Sequence, residues 1–297
     1  MAKNSKQGVP TKLLVAPAVI SLLIWMIVPL SMTLWFSFQY YNLQYPNKGG
    51  FVGFENYQYL FEPGFGLWQA LLNTCILITS VLIITMVMGS LLAVLFNQKF
   101  IGRNIARTLA ISPFFVMPTV SALVWKNMLM HPVNGLFAYI SKITHLPVID
   151  WFSDFPLLSI ILIVSWEWTP FALLILLTSL QSLDMEQYEA AILDGAKPIA
   201  RFRYIILPHL SKAISTTIMI ETIFLLTVFA EILVTTSGGP GMATTNLAFL
   251  IYKEALLGFD VGMASAGGVI AIILANIIAF FLIKAIGKNL SNPQGGV

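Results

Sequence analysis

Residues 182–208 read SLDMEQYEAAILDGAKPIARFRYIILP, a polar and patterned segment that lies between two long apolar runs. Ser182 or Asp184 can cap a short helix, and Gly195 can end that helix in the left-handed conformation. Pro198 can then open a second short helix from its first turn. We therefore expect two short helices joined by a sharp turn and displayed as a docking element. The alternative is an amphipathic helix on the lipid surface, which the basic residues near the end of the segment would also suit.

The chain around this segment is far more apolar than a soluble protein. Of its 297 residues, 58 % are hydrophobic and 10 % are charged, whereas a soluble domain carries about 25 % charged residues. This composition excludes a soluble enzyme, a disordered chain and a collagen-like fibre. The net charge of +3 is small, and no basic soluble face is available for nucleic acid. The single cysteine, Cys75, excludes a disulfide framework and a cysteine-based zinc site, and the scattered histidines predict no metal site.

Apolar runs on both sides of the segment set the architecture. A helix that spans a bilayer needs about 20 mostly apolar residues, and six runs reach that size. They cover residues 13–38, 70–96, 105–130, 157–180, 214–236 and 261–286. Alternation with a period of two residues is absent, which argues against a porin-like barrel. The sequence therefore predicts an all-α integral membrane protein with six transmembrane helices.

Basic residues predict how these helices are oriented. If the amino terminus is cytoplasmic, twelve of the 16 Lys and Arg residues fall on cytoplasmic segments, as the positive-inside rule requires. Both termini are then cytoplasmic. The expected organisation is a tail at 1–12, a six-helix domain at 13–288 that includes a cytoplasmic loop at 184–209, and a second tail at 289–297.

The loop resembles the EAA loop of ABC importer permeases. The residues that carry this resemblance are Glu189, Ala190, Ala191, Asp194, Gly195, Ala196, Phe202, Ile205, Leu207 and Pro208. A second resemblance lies at the end of the fifth run, where residues 235–240 read TTSGGP, a turn typical of the carbohydrate branch with maltose-type permeases. Within that branch, residues 229–289 look most similar to permeases of the sorbitol and mannitol type. The six-run layout extends the resemblance over essentially the whole chain.

The resemblance implies the fold and the partners of the protein. It implies a type I ABC importer permease in a bacterial inner membrane, paired with a second homologous permease subunit. Two copies of a cytoplasmic ATPase would dock on the EAA loops, and a periplasmic or lipid-anchored solute-binding protein would deliver the solute. This chain has no GxxxxGK[ST] phosphate loop, so ATP and Mg²⁺ would be bound by the partner ATPase. We therefore expect a transporter subunit in contact with membrane lipid, with no catalytic residue and no cofactor of its own.

The same resemblance assigns residues to coupling. The helix from Glu189 to Ala196 would enter a cleft on the ATPase, with polar contacts from Glu189 and Asp194 and the turn from Gly195. A stiff, packed element of this kind can transmit the rigid-body closure of an ATPase dimer to membrane helices. The complete set of expected coupling residues is Glu189, Ala190, Ala191, Asp194, Gly195, Ala196, Phe202, Leu207 and Pro208.

Polar residues inside the apolar runs indicate a solute pathway. Ionisable groups are costly in a membrane and usually face a bundle interior or a wet cavity. Glu167 lies between two tryptophans, and a carboxylate beside aromatic rings suits a polyhydroxylated ligand. Glu231 follows Thr227 by four residues, which would put both on one helical face. The pathway candidates are Trp166, Glu167, Trp168, Glu221, Thr227, Glu231, Ser265 and Asn276.

Structural alternatives exist for these polar residues. Glu231 can be solvated near the outer end of its helix, and Glu221 can pair with the partner subunit. Asn73, Asn127 and Asn276 can form hydrogen bonds between helices.

The charges of the runs favour a neutral ligand. The predicted interior holds carboxylates, and Lys126, near the edge of the third run, is the basic residue that lies furthest from the ends of a run. We expect an importer for a sugar or a sugar alcohol such as a sorbitol- or mannitol-like polyol, a monosaccharide or a glycoside. One alternative is an anionic, for example sulfonated, sugar whose cation comes from the partner subunit. Two alternatives from other classes are a proton-coupled secondary carrier with a glutamate relay and a structural subunit whose polar groups serve packing.

Overall fold

The computed structural model describes residues 11–290 and the side chains of 15–184 and 186–284. The predicted tails at 1–12 and 289–297 lie almost entirely outside the described residues. The fold divides into two compact units, Met1–Phe65 with Lys253–Ile270, and Gly66–Tyr252 with Ala271–Val297. Helices dominate both units.

The smaller unit combines a long helix with a short hairpin. Its elements in chain order are α1 (Thr11–Phe36), β1 (Gln39–Tyr40), a 3₁₀ turn (Pro46–Lys48), β2 (Gly50–Phe51), α2 (Glu55–Phe61), a π-helical turn (Lys253–Leu257) and the first turns of α14 (Val261–Leu290). The two strands pair antiparallel.

Close approach of backbones holds the smaller unit together. The backbone N–H groups of Val261 and Gly262 donate to the Tyr41 carbonyl, at 2.9 and 3.1 Å. A Cβ atom on Gly262 would meet the Gln39 carbonyl oxygen at 2.2 Å, so only glycine allows this contact. The buried Asn56 amide donates to the carbonyls of Ser37 and Gln39. These bonds fasten the start of α14 and the helix α2 to the hairpin.

The larger unit contains the remaining elements. In chain order they are α3 (Leu67–Asn97), α4 (Arg103–Ile111), a 3₁₀ turn (Ser112–Phe115), α5 (Pro118–Val124), a π-helical turn (Trp125–Leu129), α6 (Leu136–Ile143), α7 (Trp151–Asp154), α8 (Pro156–Gln181), α9 (Met185–Leu193), α10 (Pro198–Arg201), a π-helical turn (Phe202–Ile206), α11 (Leu207–Leu225), α12 (Ala230–Thr235), α13 (Leu247–Tyr252) and the later turns of α14.

The core of this unit is the pair α3 and α8. Gly89 of α3 lies against Ala172 of α8 so closely that an added Cβ would be 2.7 Å from the alanine Cβ. Leu77, Val81 and Val164 continue the same apolar interface. Small residues at the crossing let the two backbones approach, which is how membrane helices pack without a hydrophobic driving force.

Four helices within residues 11–290 are long and apolar enough to cross a membrane. They are Val15–Phe36, Leu67–Asn97, Pro156–Gln181 and Val261–Lys284, and a bent pair raises the number to five if it is counted as one span. They correspond to the first, second, fourth and sixth predicted runs. The prediction of six spanning helices is therefore not confirmed, because the third and fifth runs differ from it.

The third run is not one straight helix. Its two halves, Arg103–Phe115 and Pro118–Leu129, meet at an angle of 109°. Val116 and Met117 between them are extended, with ψ of 133° and 137°. A proline disfavours the helical conformation in the residue before it, and Pro118 has this effect on Met117.

The fifth run is also broken. α11 ends at Leu225 and α12 begins at Ala230. Side chains take up the backbone groups that the break releases: the Asn246 amide donates to the Val228 carbonyl at 2.6 Å, and the Thr227 hydroxyl donates to the Phe224 carbonyl at 2.7 Å. A contact distant in sequence, from Asn246, rather than a proline or glycine in the run, accompanies the break.

Candidate functional site

The segment 182–208 forms the two short helices that its sequence predicts. Asp184 caps α9 by accepting a hydrogen bond from the Glu186 N–H at 2.9 Å. Gly195 has a φ of 77° just after the helix, and Pro198 opens α10. The Arg201 guanidinium lies over the Tyr188 ring at 5.1 Å from its centroid and joins the two helices. The turn is therefore stiffened by a cap, a left-handed glycine and a cation–π contact.

An exposed surface is the second property of this segment. Leu193 is 88 % and Ile199 is 81 % exposed, so an apolar side chain protrudes from each side of the turn. Of the coupling candidates, Glu189, Ala190, Asp194, Gly195, Leu207 and Pro208 are exposed, whereas Ala191, Ala196 and Phe202 are half-buried. Exposed apolar residues on a rigid support are typical of an interaction surface.

The base of the segment is fastened to the larger unit. Phe202 packs against the buried residues Leu180, Ile206 and Leu210. His209 Nε2 lies 2.8 Å from the Ser179 carbonyl at the end of α8. Packed contacts and this hydrogen bond thus join the base of the segment to α8 and α11.

Two of the pathway candidates meet in the interior of the larger unit. The carboxyl group of Glu167 on α8 faces that of Glu231 on α12, and the Ser121 hydroxyl of α5 lies beside it. All three residues are buried. Among the described residues, neither Glu167 Oε1 nor Ser121 Oγ has a hydrogen bond of ordinary geometry. Buried polar atoms of this kind require a partner, so the cluster is suited to bind a hydroxyl group or a water molecule.

Aromatic residues flank α8 next to this cluster. Trp168 contacts Phe224 at 5.3 Å and Phe114 at 6.0 Å between ring centroids. Trp166 contacts Trp125 at 5.9 Å. The indole N–H of Trp125 is buried without a partner among the described residues. Trp166 and Trp168 adjoin Glu167 in sequence, and aromatic rings can pack on the C–H faces of a sugar.

Glu221 lies apart from this cluster. It is fully buried, and its Oε2 accepts a hydrogen bond from the Thr85 hydroxyl of α3 at 2.7 Å. Its Oε1 has no partner among the described residues. Glu221 thus connects α11 to α3 within this chain.

Thr227 and Asn276 occupy a different place. Both are exposed and line a groove of about 420 Å³ between α11 and α14, with apolar neighbours such as Met219 and Ala275. The Asn276 amide donates to Ile272 of its own helix, at 2.8 Å, so the interhelical bond considered for it is absent from the described contacts.

The shared face predicted for Thr227 and Glu231 is wrong, because the chain leaves the helix between them. Glu231 is buried rather than solvated. Ser265 is also buried but belongs to the smaller unit.

The TTSGGP turn follows α12 directly. Ser237, Gly238 and Gly241 have positive φ, and the Gly239–Pro240 peptide is cis. The Asn73 amide of α3 donates to the carbonyls of Met242 and Thr245, at 2.9 Å each. Asn73 in the second run therefore joins α3 to the segment 242–245 just after the turn, rather than pairing with another helix.

The sequence does not predict the roles of two residues in and near the buried cluster of Glu167 and Glu231, namely Ser121 and Lys126. Ser121 carried no signal, because a single serine in an apolar run is ordinary. The sequence identifies Lys126 only as a basic residue near the edge of a run, but its ammonium group donates hydrogen bonds to the last carbonyls of α12. No group of three or more His, Cys, Asp or Glu side chains that could hold a metal occurs in the described part of the chain.

Comparisons with known proteins agree on one family. Residues 85–292 match the family described as the binding-protein-dependent transport system inner membrane component. The trehalose/maltose transport system permease protein MalF of Thermococcus litoralis is 32 % identical over 265 residues, 88 % of each chain. The trehalose transport system permease protein SugA of Mycobacterium tuberculosis is 30 % identical over 277 residues, 93 % of this chain and 88 % of the relative.

A solved structure has the same fold. It is a bacterial ABC transporter involved in the import of the acidic polysaccharide alginate, with a TM-score of 0.78 and 22 % identity over 94 % of this chain and 95 % of that chain. The relatives are named as transport permeases, which are subunits without enzymatic activity. The resemblance to maltose-type ABC importer permeases is thus confirmed, and the chain belongs to the family of binding-protein-dependent transport system inner membrane components, as a multi-pass permease subunit and not an enzyme.

Proposed function

We propose that this chain is a transmembrane subunit of an ATP-driven importer for a neutral sugar or sugar alcohol. Two relatives are named for trehalose or maltose, so these disaccharides are the first solutes to test, before sorbitol and mannitol. The buried cluster of Glu167, Glu231 and Ser121 supports a hydroxyl-rich ligand, since its unpartnered oxygens can exchange hydrogen bonds with hydroxyl groups. Lys126 is occupied by backbone carbonyls, which disfavours an anionic solute held by this chain.

The exposed, stiffened turn of α9 and α10 is the observation that carries the coupling part of the proposal. Leu193 and Ile199 protrude from it, next to the exposed Glu189 and Asp194. We assign this surface to a cleft on a cytoplasmic ATPase. Phe202, packed at the base, would transmit the movement of the ATPase to α8 and α11. ATP and Mg²⁺ would be bound by that ATPase, and this chain would hold no cofactor.

The proposed assembly contains four kinds of chain. This permease would pair with a second homologous permease, two copies of the ATPase would dock on the coupling surfaces, and a periplasmic or lipid-anchored binding protein would deliver the solute. A proton-coupled carrier is not favoured, since the chain belongs to a binding-protein-dependent family.

Six membrane crossings remain our proposal for the topology. The bent pair Arg103–Phe115 and Pro118–Leu129 would provide the third crossing, and α11 with α12 the fifth. Both termini would then be cytoplasmic, with residues 184–209 on the same side.

The solute pathway would include residues from four places. Glu167, Glu231, Trp166 and Trp168 would form its central part, and Thr227 and Asn276 would line it along the groove between α11 and α14. We retain Glu221 and Ser265 as further pathway residues.

Co-purification from native membranes tests the proposal. A tag on this chain is expected to recover a soluble ATPase and a second six-helix permease, and transport should fail when ATP is depleted. Recovery of this chain alone, or transport that survives ATP depletion but collapses with an uncoupler, would contradict it. The binding protein encoded in the same operon would then be screened with trehalose, maltose, sorbitol and mannitol.

A further inference from the structure

The helix α4 presents an apolar face that no described residue covers. Ile105 is 70 % and Leu109 is 66 % exposed, and the spacing of four residues puts them on one face of the helix. Ala106 and Ala110 on another face pack towards the apolar core around Phe96. The helix is therefore fastened on one side and open on the other.

A basic cavity lies at the amino-terminal end of α4. It has a volume of about 350 Å³ and is lined by Lys99, Phe100, Gly102, Arg103, Asn104 and Ile105. Among these residues are two cations and no carboxylate. The first N–H groups of a helix have no partner within the helix, and its dipole favours an anion at this end. The cavity is suited to a phosphate group.

An apolar groove lies at the other end of α4. It has a volume of about 340 Å³, and its lining includes Ile84, Met88, Leu92, Leu109, Pro113 and Leu162. Ser165 and Trp166 of α8 also line it, so this groove and the proposed solute pathway share Trp166. The groove follows α3 over two helical turns from Leu92 to Ile84, which is about 12 Å. A groove of this shape and polarity is suited to an acyl chain.

The two cavities are adjacent along one helix face. Ile105 lines the basic cavity and Leu109 lines the groove, one turn or about 6 Å further along. A glycerophospholipid joins its phosphate to its acyl chains over a comparably short glycerol unit. We propose that an anionic glycerophospholipid binds along α4, with its phosphate between Lys99, Arg103 and the helix amino terminus and an acyl chain in the groove. The two cations without a carboxylate favour an anionic over a zwitterionic headgroup.

Native mass spectrometry of the full chain in its purified assembly tests this site. The delipidated protein is titrated with phosphatidylglycerol or phosphatidylcholine of identical acyl chains. We expect wild type to retain phosphatidylglycerol more than about tenfold better, and Lys99→Gln and Arg103→Gln each to lower that preference about fivefold. Lys142→Gln removes an exposed cation elsewhere in the same unit and should leave it unchanged.

Two further experiments distinguish a bound lipid from a bound free anion. Leu109→Gln should weaken retention of both lipids without changing their ratio, and inorganic phosphate should not displace phosphatidylglycerol. All variants must elute as wild type in size-exclusion chromatography. Because Lys99 is exposed, its replacement by glutamine is expected to leave the fold intact. Equal retention of the two lipids by wild type, an equal loss in Lys142→Gln, or displacement by phosphate alone would overturn the proposal.

Discussion

The Lys126 ammonium group donates hydrogen bonds to the Thr235 carbonyl at 2.7 Å and to the Val234 carbonyl at 3.1 Å. The last carbonyls of a helix lack partners within it, and a cation there also interacts favourably with the helix dipole. Lys126 on the π-helical turn after α5 therefore closes the end of α12. Since Glu231 lies on the same short helix, this contact also helps to hold the carboxyl group of Glu231 next to Glu167.

Replacing Lys126 should loosen α12. Lys126→Met keeps the aliphatic stem and removes the donor, so we expect a loss of about 1.5–3 kcal/mol, as for a hydrogen bond to a charged group. The measurement is the thermal unfolding of the purified protein in detergent, followed by tryptophan fluorescence. Lys142→Met is the matched control, because that exposed side chain bonds a single loop carbonyl, that of Val133. Equal shifts in the two variants would contradict the role given to Lys126.

Removing a carboxylate from the buried cluster should impair solute passage rather than assembly. Glu231→Gln keeps the size of the side chain but turns one acceptor oxygen into a donor. A lost hydrogen bond that leaves a ligand hydroxyl without a partner costs about 1–3 kcal/mol, which is roughly a fivefold to hundredfold loss in transport at low solute concentration. Uptake of labelled trehalose or maltose into proteoliposomes that contain the whole assembly measures this.

Glu62→Gln, at an exposed glutamate, is the matched control for that experiment. Unchanged uptake by Glu231→Gln, and likewise by Trp168→Ala, with normal assembly would favour the purely structural subunit.

The local signals in the sequence are sufficient to predict the structure of the segment 182–208. An aspartate cap, a left-handed glycine and a proline at a first helical position each act within a few residues, and the structure has α9, the turn at Gly195 and α10 where they predict them. The four long apolar runs likewise form long helices, because length and composition suffice to identify them.

The interior site could be predicted only in part. The sequence identifies Glu167 and Glu231 individually as costly groups in apolar runs, but their juxtaposition depends on the break between α11 and α12. Asn246 contributes to that break by bonding the Val228 carbonyl from 18 positions further along the chain. A periodicity argument assumes one continuous helix and therefore cannot detect such a contact.

The exposed apolar residue on α9 should matter for coupling and not for folding. Leu193 is almost fully exposed, so Leu193→Gln should change stability by less than about 0.5 kcal/mol. If the side chain enters a cleft on the ATPase, its replacement should lower solute-stimulated ATP hydrolysis about tenfold, because buried apolar anchors dominate interfaces. Leu146→Gln, at another exposed leucine, should leave hydrolysis as in wild type. Equal rates in the two variants would remove Leu193 from the coupling surface.

Gly238 and Gly241 both have a left-handed backbone, but only Gly238 is crowded by neighbouring side chains, so Gly241 provides a matched control. Gly238 has a φ of 87°, and an added Cβ would lie 2.5 Å from Thr245 Oγ1 and 2.6 Å from Phe249 Cε1. Gly241 also has a positive φ, of 58°, but an added Cβ would meet nothing within 4 Å. Left-handed backbone costs alanine about 1–2 kcal/mol at either site, and overpacking adds about 1–3 kcal/mol at Gly238 alone.

Gly238→Ala should therefore unfold at a clearly lower temperature than Gly241→Ala. The turn that follows α12 should also become less rigid in this variant. The new methyl group would displace Thr245, whose hydroxyl donates to the Gly238 carbonyl at 3.1 Å. Transport should then fall in Gly238→Ala and persist in Gly241→Ala when both are assayed in assemblies of equal yield. Identical unfolding temperatures would mean that Thr245 and Phe249 can move aside, and the TTSGGP turn would then tolerate a side chain at its first glycine.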